Sequence, residues 1–304
     1  MNIAYLAHWK KPLEKTGRTN FGIIFLVLST GFTALVDATA KVLSADQHAM
    51  VTVWGYFLGI LLMLLIYAGV KRIPLRQLTR TNRRGFQVMR AGLLVCTIGT
   101  LFAGLKYIPL ADASAIMFMA PLFITALSVP ILGEHVGPHR WVAVGVGLIG
   151  ALIIIRPGGE LTHWAAILPL ISALSFAAFQ ISTRHLAATE DTLVTLFHTA
   201  VGGLGWSSAI VWYVWTPPTP TVWLVFIAIG VLGVGAHFCI IRAYEEAQAS
   251  LLAPFNYSKL IWIVALGYLI FDHIPDAHVF VGSGVIVASG LYVLYRESKT
   301  ARRR

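Results

Sequence analysis

Lys259 lies about 10 residues into an apolar run spanning 249–271, so on a helix rising 1.5 Å per residue its ammonium sits roughly 15 Å from either end. A charged lysine at the centre of a bilayer costs about 2.5–3.5 kcal/mol on insertion scales, so a role or a partner is expected for it. Asn256 lies three residues earlier, on the same helical face. An ammonium beside a carboxamide can hold a carboxylate or phosphate oxygen. Two other placements are open to Lys259. One is a structural ion pair with Asp37 or Glu245, and the other is snorkelling of its stem toward the interface.

Asp37 falls in the first apolar run, with Lys41 four residues on, the spacing of a local ion pair. It reads either as that pair or as a gating or proton-coupling carboxylate. His198 and His237 also fall inside apolar runs. Histidine titrates near neutral pH and can carry a proton, although a helix histidine often just hydrogen-bonds across a bundle. Gln180 shares a helix face with Arg184 and is a further candidate contact. Trp54, Tyr56, Phe118, Phe176, Phe179, Tyr257 and Trp262 can stack on a flat or cationic ligand. Trp and Tyr near helix ends also suit interfacial belts. Tyr257 and Trp262 are favoured for a cavity because they flank Lys259. Pro121 and Pro254 interrupt two apolar runs, where a proline frees a carbonyl and kinks a helix.

Other chemistries fit the residues poorly. No phosphate-binding G-x-x-x-x-G-K-[ST] loop occurs, so the chain encodes no ATP-driven pump of that type. Glu134, His135 and His139 resemble a metal cluster, but Gly137-Pro138 breaks the helix that would align them, and no metal or other cofactor is expected. Gly205-Trp206-Ser207, with His237 later, is a weak match to an intramembrane serine protease, which would need a positioned base and oxyanion donors.

The elements that must carry these residues are membrane helices. The 304 residues are 57% hydrophobic and 12% charged, against about 25% charged in soluble proteins. Apolar runs near twenty residues cover 21–40, 50–70, 86–106, 110–132, 139–156, 164–183, 192–214, 221–241, 249–271 and 277–295. Placing the N-terminus in the cytoplasm puts 19 of the 23 Lys and Arg residues on the inside, with Arg90 counted in the basic cluster from Lys71 to Arg90. The net charge of +10 therefore reads as topology rather than nucleic-acid binding. Ala38-Thr39-Ala40 resembles a signal-cleavage site, but cleavage would leave nine helices and break the repeat described next.

The repeat pairs 107–156 with 244–296. Each segment has an aromatic helix exit, A-x-A-S, an apolar helix with an internal proline, an acid–His pair and a small-residue-rich helix ending in Arg. Ser114 matches Ser250, Glu134 matches Asp272 and Gly150 matches Gly290. Five helices per copy is odd, so the second copy enters the membrane from the opposite side. The expected fold is all-α and integral to the membrane: ten transmembrane helices in two inverted five-helix repeats, 20–157 and 163–296. Basic tails at 1–19 and 297–304 are both cytoplasmic. Small residues at four-residue spacing, Gly55/Gly59 and Ala143/Gly147/Ala151, allow close helix contacts within one chain or across a dimer.

The motifs resemble the EamA-type branch of the drug/metabolite transporter superfamily. The resemblance rests on Tyr107 to Ala113, Ala120-Pro121-Leu122-Phe123, Leu132-Gly133-Glu134, Gly147 to Gly150, Arg156-Pro157-Gly158 and Ala253-Pro254-Phe255-Asn256-Tyr257. It implies a secondary transporter in the cytoplasmic membrane that moves a small organic metabolite by alternating access. Riboflavin, S-adenosylmethionine, an amino acid or an organic anion are the solutes it brings forward. Trp54-Gly55-Tyr56 stands where many relatives carry an Arg, and Lys259 stands where a neutral residue is expected. A channel or lipid scramblase is the alternative. The expected partners are the solute and the bilayer, for a monomer or homodimer.

Overall fold

The computed structural model describes residues 15–45, 47–108, 110–134, 136–155, 164–187, 189–271 and 277–301. His135, Arg156-Pro157-Gly158, Asp272-His273 and the outer parts of both basic tails lie outside the described residues. Among the described residues all regular structure is helical. The elements are α1 (Lys15–Leu43), α2 (Ala49–Val70), α3 (Leu75–Leu78), α4 (Arg84–Leu105), α5 (Leu110–Met117), α6 (Ala120–Leu132), α7 (Pro138–Ile155), α8 (Ile167–Ala187), α9 (Thr192–Val211), α10 (Pro220–Glu246), α11 (Ala249–Leu252), α12 (Lys259–Phe271) and α13 (Ala277–Ala301). Three-ten turns cover Trp164–Ala166 and Ala253–Ser258. Among the described residues, six helices are long and apolar enough to cross a membrane: α1, α2, α4, α8 with its preceding turn, α9 and α10. Shorter apolar helices run over Ala120–Leu132, Trp141–Gly150, Phe255–Ile270 and Phe280–Ser289.

The helix ends follow from local chemistry. The Asp191 carboxylate accepts from the Leu193 amide at 2.8 Å and starts α9. Thr219 caps α10, whose first residue is Pro220. Gly133, at φ 66°, closes α6 in the left-handed conformation that a Cβ disfavours. The run 110–132 divides into α5 and α6 because Pro121 has no N–H to offer the Met117 carbonyl. Likewise 249–271 is divided by the three-ten turn that contains Pro254.

The packing has a regular pattern. α1 packs on α10, as α4 packs on α8. α2 packs on α10, as α9 packs on α4. α6 packs on α8, as α12 packs on α1, while α2 meets α9 and α7 meets α13. Exchanging the elements before residue 157 for those after it maps every one of these pairs onto another pair or onto itself.

Glycines let the crossing of α2 and α10 close. A Cβ on Gly59 of α2 would stand 2.3 Å from the Phe226 carbonyl oxygen and 2.8 Å from the Gly230 Cα of α10. A Cβ on Gly55 would strike the Phe226 ring at 2.4 Å. The Gly55/Gly59 stripe thus serves a contact within the chain. On α7, the Ala143 carbonyl accepts from Ser289 of α13 at 2.5 Å, and Gly147 faces the Tyr257 hydroxyl.

Candidate functional site

A cavity of about 870 Å³, counted to its open side, lies at the centre of this bundle. α1 contributes Leu26, Ser29, Thr30, Thr33, Val36 and Asp37, and α4 contributes Leu94, Thr97, Ile98, Leu101 and Phe102. Both sets recur every three to four residues, so each is one face of a straight helix. The break between α5 and α6 supplies Met117, Phe118, Ala120 and Pro121. Tyr56 comes from α2, Phe176 and Phe179 from α8, His237 from α10, and Asn256 and Lys259 from the broken end of α12.

Two charges meet at this cavity. Lys259 Nζ lies 2.5 Å from Asp37 Oδ2, with 16% and 7% of their side chains exposed. Asp37 therefore pairs across the bundle. Its neighbour Lys41 donates instead to the Leu105 carbonyl at 2.6 Å. Glu245, the other partner open to Lys259, accepts from Thr192 and pairs with Arg242. Lys259 thus both joins an ion pair and faces the cavity. Burial makes this pair sensitive: two desolvated charges hold each other in place, and either one alone would be strongly destabilised.

Hydroxyls and amides complete the polar lining. Thr30 Oγ1 and Ser258 Oγ share a hydrogen bond of 2.8 Å beside the pair, and Ser29 donates to the Ala236 carbonyl at 2.8 Å. Tyr56 Oη and His237 Nε2 are 2.9 Å apart, while His237 Nδ1 is buried with no hydrogen-bond partner. Tyr56→Phe should therefore leave a second histidine nitrogen unsatisfied. It is expected to destabilise the protein by about 1–3 kcal/mol, read as a fall in midpoint in detergent unfolding. Gln180 Nε2 donates to Asn256 Oδ1 at 3.1 Å, and Asn256 Nδ2 donates to the Ala253 carbonyl at 3.2 Å. Gln180 thus stands behind Asn256 and fixes its orientation. Phe176 and Phe179 are stacked, with ring centres 6.4 Å apart and planes 19° from parallel. The Phe118 and Tyr257 rings meet edge-on at 5.7 Å. The cavity lining therefore combines aromatic rings with a buried ion pair.

Four of the sequence-nominated residues lie elsewhere. Tyr257 is buried, packs against Phe118 and Gly147, and does not line the cavity. Trp54 donates to Ser208 Oγ at 3.0 Å and packs edge-on against Trp215 and Trp223. Together with exposed Trp212 and Tyr213 it belongs to an aromatic group at one end of the bundle, the composition of an interfacial belt. Trp262 leans on Gly31 of α1 and is 40% exposed. His198 Nδ1 bonds to the Val194 carbonyl of its own helix at 2.9 Å. Pro121 lines the cavity. Ser207 donates to the Gly203 carbonyl of its own helix at 2.7 Å, while His237 is held by Tyr56, so the two form no nucleophile–base pair. Among the described residues no group of three or more His, Cys, Asp or Glu could hold a metal ion.

The sequence reading passed over two features. Ser29, Thr30, Thr33 and Asp37 form a polar stripe at helical spacing that was available from the sequence. Arg90, counted there with the cytoplasmic cluster, is fully buried within α4.

The chain matches the EamA-like transporter family over residues 20–156 and 163–295. It belongs to that family. An EamA-like protein with these apolar helices is a multi-pass protein of the inner membrane, and its partners are a small molecule and the bilayer. A riboflavin transporter of Vibrio cholerae is 29% identical, over 89% of this chain and 91% of that one. An S-adenosylmethionine uptake transporter of Rickettsia prowazekii is 26% identical, over 92% and 94% of the two chains. A pseudopaline exporter of Pseudomonas aeruginosa is 28% identical, over 91% and 97%. A solved crystal structure shares the fold, with a TM-score of 0.71 at 17% identity, over 91% of this chain and 95% of the other.

Proposed function

We propose that this EamA-like protein is a secondary transporter. It carries a small metabolite with a flat ring system and a charged end, binding it in the central cavity and opening to each side in turn. The observation that carries the reading is the Lys259–Asp37 pair, held at a cavity that Phe118, Phe176 and Phe179 also line. An ion pair of this kind complements a zwitterion: Lys259 takes a carboxylate while Asp37 takes an ammonium or sulfonium group. The aromatic side chains offer a stacking face for an isoalloxazine or adenine ring. Relatives named for riboflavin and for S-adenosylmethionine put both solutes first, and the zwitterion match favours the second.

Two inverted five-helix halves support alternating access. The six long helices, α7, α13 and the broken pairs α5/α6 and α11/α12 together make ten membrane elements. The exchange of packing partners between halves is what a two-fold axis in the membrane plane would produce. Broken helices at corresponding places, each carrying a proline, meet the cavity as expected of a midplane site. Both termini are then cytoplasmic.

Counterflow in proteoliposomes tests this. Vesicles preloaded with unlabelled S-adenosylmethionine, and in parallel with riboflavin, should take up the labelled solute faster than empty vesicles. Equal rates with and without preloading would show a pore and sink the carrier reading.

A further inference from the structure

Arg90 has no exposed surface, and neither has Gln87 one helical turn before it on the same face of α4. The guanidinium donates from Nε to Thr183 Oγ1 of α8 at 2.8 Å and from Nη1 to Thr199 Oγ1 of α9 at 2.5 Å. Both hydroxyls already give their protons to their own helices, to Phe179 and Thr195 carbonyls. They therefore serve the arginine as neutral acceptors and supply no anionic counter-charge. Arg90 Nη2 and both amide atoms of Gln87 are buried without hydrogen-bond partners. A cation in the membrane interior with unused donors calls for an anion.

One side chain touches both this cluster and the central cavity. The Phe179 ring lies 4.4 Å from the Arg90 guanidinium carbon and also lines the cavity. Leu94, one turn beyond Arg90 on α4, lines the cavity as well. Arg90 lies six residues into α4, on the side of the cavity toward the basic segment that precedes the helix. We propose that Arg90 and Gln87 form a second, occluded anion subsite behind Phe179, which takes over the solute's oxyanion when the carrier opens to the cytoplasm. The proposal rests on the carrier reading for its sense of direction. The solute's charged group is held first at Lys259 and then, once Phe179 turns aside, at Arg90.

Charge-selective cysteine labelling tests the subsite without any transported solute. Gln87→Cys is introduced with Cys96→Ser and Cys239→Ser, and inside-out vesicles are treated with sulfonate-bearing and trimethylammonium-bearing methanethiosulfonates. Rates are normalised to those of Gly69→Cys, where the space is open. The sulfonate reagent should react at least about tenfold faster, as expected for an anion focused by a buried cation, and Arg90→Met should abolish the preference while Arg90→Lys keeps it. No labelling from the cytoplasmic side, or equal rates for the two reagents in the Gln87→Cys protein, would reduce Arg90 to a tie between helices. A clear sulfonate preference beside failed counterflow would retain the anion subsite and discard the carrier.

Discussion

Lys259→Met is expected to lower solute transport at least about tenfold, equivalent to ~1.4 kcal/mol, and to destabilise the protein. Asp37→Asn should do the same. Each single change strands one charge of a buried pair 2.5 Å apart, and such a loss costs about 3–5 kcal/mol unless the remaining group neutralises itself. The double variant Lys259→Met/Asp37→Asn removes both charges, so no stranded ion is left. Its unfolding midpoint in detergent should return toward that of the unmodified protein, and the cycle should show strong coupling between the sites. Transport should stay lost, because the two groups proposed to bind the solute are gone. Recovery of transport together with stability would make the pair scaffolding.

The residues that define this cavity were partly legible in the sequence. Charged and polar side chains inside apolar runs stand out against the cost of placing them there, which is why Lys259, Asp37, His237 and Asn256 could be picked out. Their pairing was not legible. Asp37 sits four residues from Lys41, and only the packing of α1 against α12 brings it to Lys259 instead. Trp262 shows the opposite limit: closeness in sequence to Lys259 does not fix the direction of a ring, and this one turns onto Gly31. Arg90 was hidden by its neighbours, because it continues a basic run that does belong to the helix start. At 1.5 Å per residue it is already roughly 9 Å inside α4, where a cation no longer reads as a topology signal. The breaks in the helices followed the prolines, but Pro121 acts upstream of itself, by leaving the Met117 carbonyl without a donor.

Gly59→Ala is expected to abolish recovery of folded protein, although it adds a single methyl group. The new Cβ would lie 2.3 Å from the Phe226 carbonyl oxygen and 2.8 Å from the Gly230 Cα. Both obstacles are backbone, so no rotamer change relieves them, and α2 and α10 must move apart. Ordinary overpacking costs about 1–3 kcal/mol because side chains can shift, and this crossing lacks that outlet. The same separation would pull Tyr56 on α2 from His237 on α10, which are 2.9 Å apart at the cavity. Loss of the helix crossing is thus loss of the site. Gly230→Ala meets the Gly59 backbone at 2.4 Å and should behave alike. Two controls separate backbone collision from a general intolerance of glycine replacement. Gly99→Ala faces only the flexible Met50 sulfur at 3.3 Å and should be mild. Gly145→Ala meets nothing within 4 Å and should gain about 0.5–1 kcal/mol of helix stability. Size-exclusion profiles and unfolding midpoints should therefore rank the variants as Gly145, Gly99, then Gly59 with Gly230. A well-folded Gly59→Ala protein would mean that α2 and α10 do not cross this closely.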